Sequence, residues 1–369
     1  MKLPSSSWRS HAPDYVIIVS SFLLVIIGLA VLTSASSDLG QLKFNESYFY
    51  LKHQLIYGLS IGLIGFLIAA KFYYRNYENL AVILLIISLV LLVLIFTPLG
   101  FTAGGATRWL QFGPVVFQPS ELLKITFVVY LASWLSNKNH RQESFWGGFV
   151  PFLIITGLVS ALLIAQPSTS AVLILMGTAL IIYFTSGAKL SYIFYTILFG
   201  IIGLLIISYF TSYRWERIRG FLNKESDIQS SSYQLNQALI AIGSGGLWGV
   251  GFGQSTTKLH YLPQPIGDSI FAIIAEEFGF VGAAFLISLF ILLTIRCLLI
   301  ARKVTDKFGQ LLLIGFGSLI AIQTFVHIAS ISGIIPLTGV PLPFISYGGT
   351  ALAIFMTISG IMVNISKYT

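Results

Sequence analysis

Charge is what this chain has least of. Of its 369 residues only 9% are Asp, Glu, Lys or Arg, against 56% hydrophobic, and its mean hydropathy is +0.88. A water-soluble protein of this length needs far more charge to cover its cores. The lone cysteine, Cys297, excludes an intrachain disulfide, and its place in an apolar run makes it a packing thiol. The histidines at 11, 53, 140, 260 and 327 are too dispersed for a zinc site, and no metal-ligand cluster stands out. There is no P-loop, no glycine fingerprint after a strand and no G-x-S-x-G elbow, which removes the common nucleotide-binding and serine-hydrolase readings. The net charge of +8 comes from scattered residues without a basic stripe, so no nucleic-acid partner is expected. A positive-inside bias and attraction to anionic membrane lipid account for it more simply.

What is present is a series of long apolar runs, near 15–35, 51–70, 79–97, 121–136, 148–165, 170–186, 191–210, 269–295, 309–331 and 347–365. Runs of this length read as spanning helices. The predicted fold class is an all-α membrane protein, a polytopic bundle of ten transmembrane helices forming one integral membrane domain over 1–369. Residues 1–14 form a cytoplasmic tail, and 211–268 form one long extracytoplasmic loop. The first run, Val16 to Leu32, is longer than a signal-peptide core and is followed by more spans, so it reads as uncleaved. With the N-terminus inside, the inner segments hold 12 basic residues, from Lys2 and Arg9 to Lys367. The short outer segments hold 4 (Lys43, Lys52, Arg108, Lys124), with five more in the long loop. That asymmetry places both ends in the cytoplasm.

Two segments interrupt the helical pattern. In the long loop, Tyr213 to Arg219 is basic and aromatic, suited to lipid headgroups, and Tyr233 to Gly253 is apolar but ends in the glycine-rich run 243–253. That run reads as a short helix plus a close-packed turn, which dips into the membrane only where protein covers it. Residues 334–349 carry three prolines and three glycines among apolar residues, and irregular backbone at membrane depth survives only buried in protein or lining a cavity.

The carboxylates that border or enter spans are Glu121, Asp268, Glu276 and Glu277. An ionisable group there is costly to desolvate and is a functional-site candidate by default. Asp268 stands out, where a polar loop turns into an apolar helix. In Gln118-Pro-Ser-Glu-Leu-Leu-Lys124, Ser120 is the expected N-cap, Glu121 lies in the first turn, and Lys124 shares its face. A capped helix with a local ion pair explains this motif as well as a polar cavity does. Glu276 and Glu277 diverge by about 100° around a helix; interhelical hydrogen bonding or pairing with a basic residue is the simpler role for them. Arg108-Trp109 is either an interfacial anchor or a phosphate-binding arginine beside an aromatic platform, and spacing does not choose.

Taken in order, these motifs resemble the SEDS family of FtsW, RodA and SpoVE proteins. The resemblance rests on the Arg108-Trp109 loop, Gln118 to Lys124, Tyr233-Gln234, the 243–253 glycines, residues 261–277 and Pro341 to Gly349, and so covers nearly the whole chain. The wording around Gly267-Asp268 and in the last motif is nearer to FtsW than to RodA. The sequence departs from the family at Gln166-Pro167-Ser168, where Gln-Pro-Asp is usual, and at Ile266-Gly267, where His-Thr is usual.

The resemblance implies a peptidoglycan glycan-strand polymerase that uses lipid II, inverts the glycosidic linkage and releases undecaprenyl pyrophosphate, in division or elongation. It implies Asp268 as catalytic base. Arg108, Trp109, Gln118, Glu121, Lys124, Arg217 and Lys258 become substrate-binding candidates, and Gln166, Glu276 and Glu277 structural or cavity-lining ones. No cofactor is certain; a divalent cation such as magnesium could share the pyrophosphate charge, although no site for one is legible. The implied partners are lipid II, a class B penicillin-binding protein transpeptidase and other division or elongation proteins, in the bacterial cytoplasmic (inner) membrane. Two rival readings are a lipid II flippase, which needs a polar path between the faces, and a non-catalytic scaffold, which does not need Asp268.

Overall fold

The structure, a computed structural model, describes residues 11–103, 106–113, 115–137, 141–211, 215, 231–258 and 262–369. The chain is a polytopic helical bundle. Among the described residues eight helices are long and apolar enough to cross a membrane. These are α1 (Tyr15–Phe44), α2 (Phe49–Lys71), α3 (Arg75–Leu94), α5 (Phe145–Ala165), α7 (Leu190–Tyr209), α9 (Ile270–Ala301), α10 (Lys307–Ile331) and α11 (Gly349–Ser366). The other two expected spans are also helical but fall short of those criteria: α4 (Pro119–Ser136) carries Glu121 and Lys124, and α6 (Thr169–Thr185) is shorter. A further helix, α8 (Ser231–Ser244), precedes the glycine-rich turn.

Between α3 and α4 the chain forms a feature the sequence reading passed over as loop. Strands β1 (Gly100–Ala103), β2 (Ala106–Phe112) and β3 (Val115–Phe117) make a small antiparallel sheet in the order β1-β2-β3. Leu110, which pairs with both Gly100 and Phe117, is fully buried toward the bundle. The bundle end that carries this sheet also carries the start of α2, α4, α9 and α11, and it is called the hairpin end below.

Helix starts follow local chemistry. Asp14 caps α1 by accepting from Ile17 N–H at 3.1 Å, and Asp306 caps α10 by accepting from Gly309 N–H at 2.8 Å. At α4 the cap falls on Gln118, not on Ser120, and Pro119 occupies the first helical position. Proline has no N–H to leave unpaired there and its fixed φ suits a first turn, so the helix starts ahead of the serine. Helices α2 and α11 pack closely along small residues: a Cβ on Gly62 would come 2.6 Å from Met356 Sδ, and one on Gly360 would come 2.5 Å from the Phe66 carbonyl oxygen. Such small-residue seams let membrane helices approach backbone to backbone. Helix α7, by contrast, buries only Ser208 and lies at the edge of the bundle against α6.

Helix α9 is broken. Gly279 has φ +66° and ψ −165°, which interrupts the hydrogen bonds that residues 280 and 281 would send back to 276 and 277. The glycine turn after α8 replaces all four lost ends. Phe280 N–H donates to Gly246 O (2.9 Å) and Val281 N–H to Leu247 O (3.1 Å), while Val250 and Gly251 N–H donate to Glu276 O and Glu277 O at 3.0 Å each. A Cβ on Gly249 would run into the Glu277 carbonyl, so the close approach requires glycine. This is the condition under which non-helical backbone is tolerated at membrane depth: every freed group finds a protein partner.

Candidate functional site

Asp268 lies in the turn that leads into α9, half-buried, one residue ahead of the cap position Ser269. The turn is tied down from several directions. Ser269 Oγ donates to Pro263 O at 2.8 Å and accepts from Gln234 Nε2 of α8 at 3.0 Å. Within the turn, Gly267 N–H donates to Gln264 O at 3.1 Å. From the broken segment, Ser346 Oγ donates to Gly267 O at 2.8 Å and Tyr347 N–H donates to Ile266 O at 2.9 Å. The two carbonyls immediately before Asp268 are therefore both fixed by residues about eighty positions later in the chain.

A second polar cluster sits inside the bundle. Lys124 Nζ is 2.6 Å from Glu121 Oε1 and 2.9 Å from Gln323 Oε1, with both members of the ion pair buried. Its ammonium also stands 5.2 Å from the centre of the Phe355 ring, close enough for a cation–π attraction. Gln323 Nε2 in turn donates to Pro341 O (2.8 Å), and His327 Nδ1 shares a hydrogen bond with Val340 O (2.6 Å). Gln323 and His327 lie four residues apart on α10, so one helix face grips the irregular backbone of 340–341. Among the described residues Glu121 Oε2 and His327 Nε2 are buried with no protein partner.

A third cluster surrounds the paired glutamates of α9. Glu276 accepts from Ser255 Oγ at 2.5 Å, from Thr256 N–H at 3.1 Å and from the Thr257 hydroxyl. Glu277 faces elsewhere: its Oε1 takes a hydrogen bond from Ser34 Oγ of α1 at 2.5 Å and pairs with Lys258 at 3.0 Å. The two acids diverge as helix geometry demands, and each anchors a different part of the 251–258 loop.

The sequence-derived candidates are thus dispersed over several roles. Lys258 spends all three of its ammonium donors inside the protein, on Ser34 Oγ, Gly253 O and Glu277 Oε1. That geometry makes it a loop anchor with no hydrogen left for a phosphate. Arg108 reaches from β2 to the end of α5, donating through Nε to Gln166 O at 3.3 Å and through Nη2 to Pro167 O. Gln166 is buried and its amide donates to Leu92 O at 2.9 Å, so Arg108 and Gln166 together moor the sheet to α3 and α5. Trp109 is half-buried on β2, and Gln118 starts α4. Arg217 lies outside the described residues. Among the described residues no three His, Cys, Asp or Glu side chains converge as a metal cage would need, so those residues do not fit a protein-held cation.

Sequence reasoning missed Ser346, Tyr347, Gln323 and His327. A signal existed for the last two: polar residues spaced i, i+4 inside an apolar helix are expensive and mark a face turned to other polar groups.

Residues 14–369 match the family described as cell cycle protein, FTSW_RODA_SPOVE. Stage V sporulation protein E of Bacillus subtilis (strain 168) is 36% identical over 362 residues, which cover 98% of this chain and 99% of that protein. A probable peptidoglycan glycosyltransferase FtsW of Geobacter sp. (strain M18) is 35% identical over 359 residues, covering 97% and 98%. Among solved structures, the rod shape determining protein RodA of Thermus thermophilus superposes with a TM-score of 0.70 at 26% identity, covering 97% of this chain and 98% of that one. A chain from a peptidoglycan synthase complex that coordinates polymerization and crosslinking superposes with a TM-score of 0.79 at 24% identity, covering 96% and 98%. The fold is a many-spanning helical bundle in which the broken segment 334–349 is tied to the turn that carries Asp268. The chain belongs to the FtsW/RodA/SpoVE family.

Proposed function

We propose that this chain is a peptidoglycan glycosyltransferase that polymerises glycan strands from lipid II in the bacterial cytoplasmic membrane. Its two termini face the cytoplasm and its hairpin end faces outward, where flipped lipid II presents its sugars. Family membership supplies the reaction class, and the pinned Asp268 turn is the observation that carries the reading. A carboxylate that must meet an incoming hydroxyl within about 3 Å gains most from a backbone that cannot wander.

In the reaction, the C4 hydroxyl oxygen of one lipid-linked disaccharide forms a bond to the anomeric carbon of the other. The bond from that carbon to the pyrophosphate oxygen breaks, its electron pair leaves with undecaprenyl pyrophosphate, and the hydroxyl proton passes to the Asp268 carboxylate. A single displacement turns the α-linkage into a β-linkage. Glu121 and Lys124, with Trp109 and Gln118 at the rim, line the polar interior that accepts substrate. On this reading Lys124 offsets part of the leaving group's charge. By the same reading the working assembly includes a class B penicillin-binding protein, which crosslinks the peptides.

The test is a lipid II polymerisation assay on the chain with its cognate transpeptidase, comparing wild type with Asp268→Asn. Loss of a general base is typically worth about 10²–10⁴-fold, and the variant is expected to lose that much activity while keeping its fold and membrane insertion. Wild-type activity in Asp268→Asn overturns the assignment. Lipid II translocation in liposomes by Asp268→Ala protein that makes no polymer in any condition would favour the flippase reading instead.

A further inference from the structure

The start of α2 departs from regular α-helix. Residues Gln54–Ser60 form a π-helical stretch directly after His53. Wide turns of this kind are frequent at functional sites, and they shift which side chains share a face. Here the shift brings His53 and Gln54, adjacent in sequence, onto the same short piece of the broken segment. Gln54 Oε1 accepts from Gly348 N–H at 3.0 Å, and His53 Nδ1 lies 2.9 Å from the Tyr347 hydroxyl. The Tyr347 ring is held edge-on by Tyr50, with ring centres 5.1 Å apart and planes at 87°. Tyr347 is thus gripped at its hydroxyl, its ring and its following peptide, while its own N–H holds Ile266 O, two residues before Asp268.

We propose that the His53–Tyr347 pair is a positioning clasp for Asp268, by which α2 sets the reach of the carboxylate toward the attacking hydroxyl. The inference rests on the reading of Asp268 as base. Nothing in the clasp touches the reacting atoms; it acts through the backbone of 266–267. A phenol keeps its proton at neutral pH, so the hydrogen bond to His53 persists. The seam between α2 and α11 is made by the glycines further along, and Gln54 alone satisfies the Gly348 N–H.

A clasp and a mere packing contact differ in what they do to kinetics. If the pair orients Asp268, Tyr347→Phe and His53→Ala each lower kcat about tenfold, the effect of one lost hydrogen bond on a positioned group, with KM for lipid II unchanged. Their double variant is no slower than either alone, because both cut the same link. His53→Asn, which restores a hydrogen-bonding atom near the Nδ1 position, recovers most of the rate. All variants are assayed as the full chain with its transpeptidase, beside Asp268→Asn and with folded protein quantified by size-exclusion in detergent. Unchanged kcat in both single variants, or multiplying losses in the double variant, overturns the clasp. So does a rate loss that vanishes once it is scaled to folded protein. Full activity in Asp268→Asn defeats the base assignment itself, whereas an inactive Asp268→Asn beside fully active clasp variants defeats the clasp alone.

Discussion

Three aspartates stand at helix starts, and their surroundings differ between the two ends of the bundle. At the end opposite the hairpin, Asp14 and Asp306 are caps: each accepts the N–H three residues on, and each is paired with an arginine. Asp14 meets Arg296 at 2.6 Å, and Asp306 meets Arg75 at 3.5 Å and the Tyr74 hydroxyl. At the hairpin end, Asp268 stands one residue ahead of the cap, and Ser269 holds that position without a side-chain cap bond. There the bonding effort goes into the backbone around the aspartate, through Gln234, Ser346 and Tyr347. The two aspartates at the opposite end cap their helices through their own side chains, whereas the turn that carries Asp268 is held through the peptides beside it.

The largest effect expected from breaking this comparison is an exchange of consequences. Asp268→Asn costs about 10²–10⁴-fold in polymerisation and lowers the thermal midpoint in detergent less than Asp306→Asn does. Asp306→Asn in turn has little effect on kcat. An Asp306→Asn variant as slow as Asp268→Asn would erase the distinction between the two ends.

The next largest effect concerns Lys258, whose pairing with Glu277 is buried. Removing one partner of a buried pair leaves an uncompensated charge, which typically costs about 3–5 kcal/mol. Lys258→Met is therefore expected to lower the unfolding midpoint far more than any single change at the opposite end. Adding Glu277→Gln to it restores much of the loss, since the stranded carboxylate goes with it. A double variant no better than Lys258→Met would mean that the lysine stabilises through packing of its stem.

Lys258 also shows where the sequence stops being legible. The spans were readable because lipid demands long apolar runs, and the divergence of Glu276 from Glu277 was readable because it is helix geometry. The 243–253 glycines announced a close approach, though not that they would supply the hydrogen bonds lost at Gly279. What contacts Lys258 was out of reach: its partners Ser34 and Glu277 come from α1 and α9, and a loop lysine among polar neighbours looks like a solvated one. The sheet of 100–117 was hidden by its short strands, although Thr107, Trp109 and Gln111 alternate with Arg108 and Leu110. Gly279 itself carries no local mark, because a glycine in an apolar helix is ordinary in a membrane. Ten spans were expected from composition, and eight helices among the described residues reach that length and apolarity. The polar pair that commits α4 to the interior is also what lowers its apolar content.

A smaller effect follows from Asp306 as a cap. Asp306→Ala removes the Gly309 N–H acceptor and the Tyr74 partner together, and the two losses sum to about 2 kcal/mol. Burial and the hydrogen bond to Asp306 both raise the Tyr74 phenol's pKa. Tyr74→Phe on the wild-type background accordingly gives about half of that loss, because the phenol enters the pair only as a neutral donor. Equal losses in the two variants would assign the whole effect to the tyrosine and leave the cap without measurable weight.

The smallest effect belongs to Arg296 and Asp14. The arginine places Nε and Nη2 on one carboxylate oxygen at 2.8 and 2.6 Å, a geometry that looks strong on distance alone. Its side chain is 36% exposed, however, and water and salt screen such a pair, so that exposed ion pairs are worth about 0.2–1 kcal/mol. Asp14 accepts the Ile17 N–H through its other oxygen, so Arg296→Ala leaves the cap in place. The expected shift is at the low end of that range and fades as salt is raised from low to about 0.5 M. Lys258→Met keeps its full effect over the same range, because the Glu277 pair is shut away from ions. If Arg296→Ala proved as costly as Lys258→Met and equally indifferent to salt, burial would not be what separates the two ends.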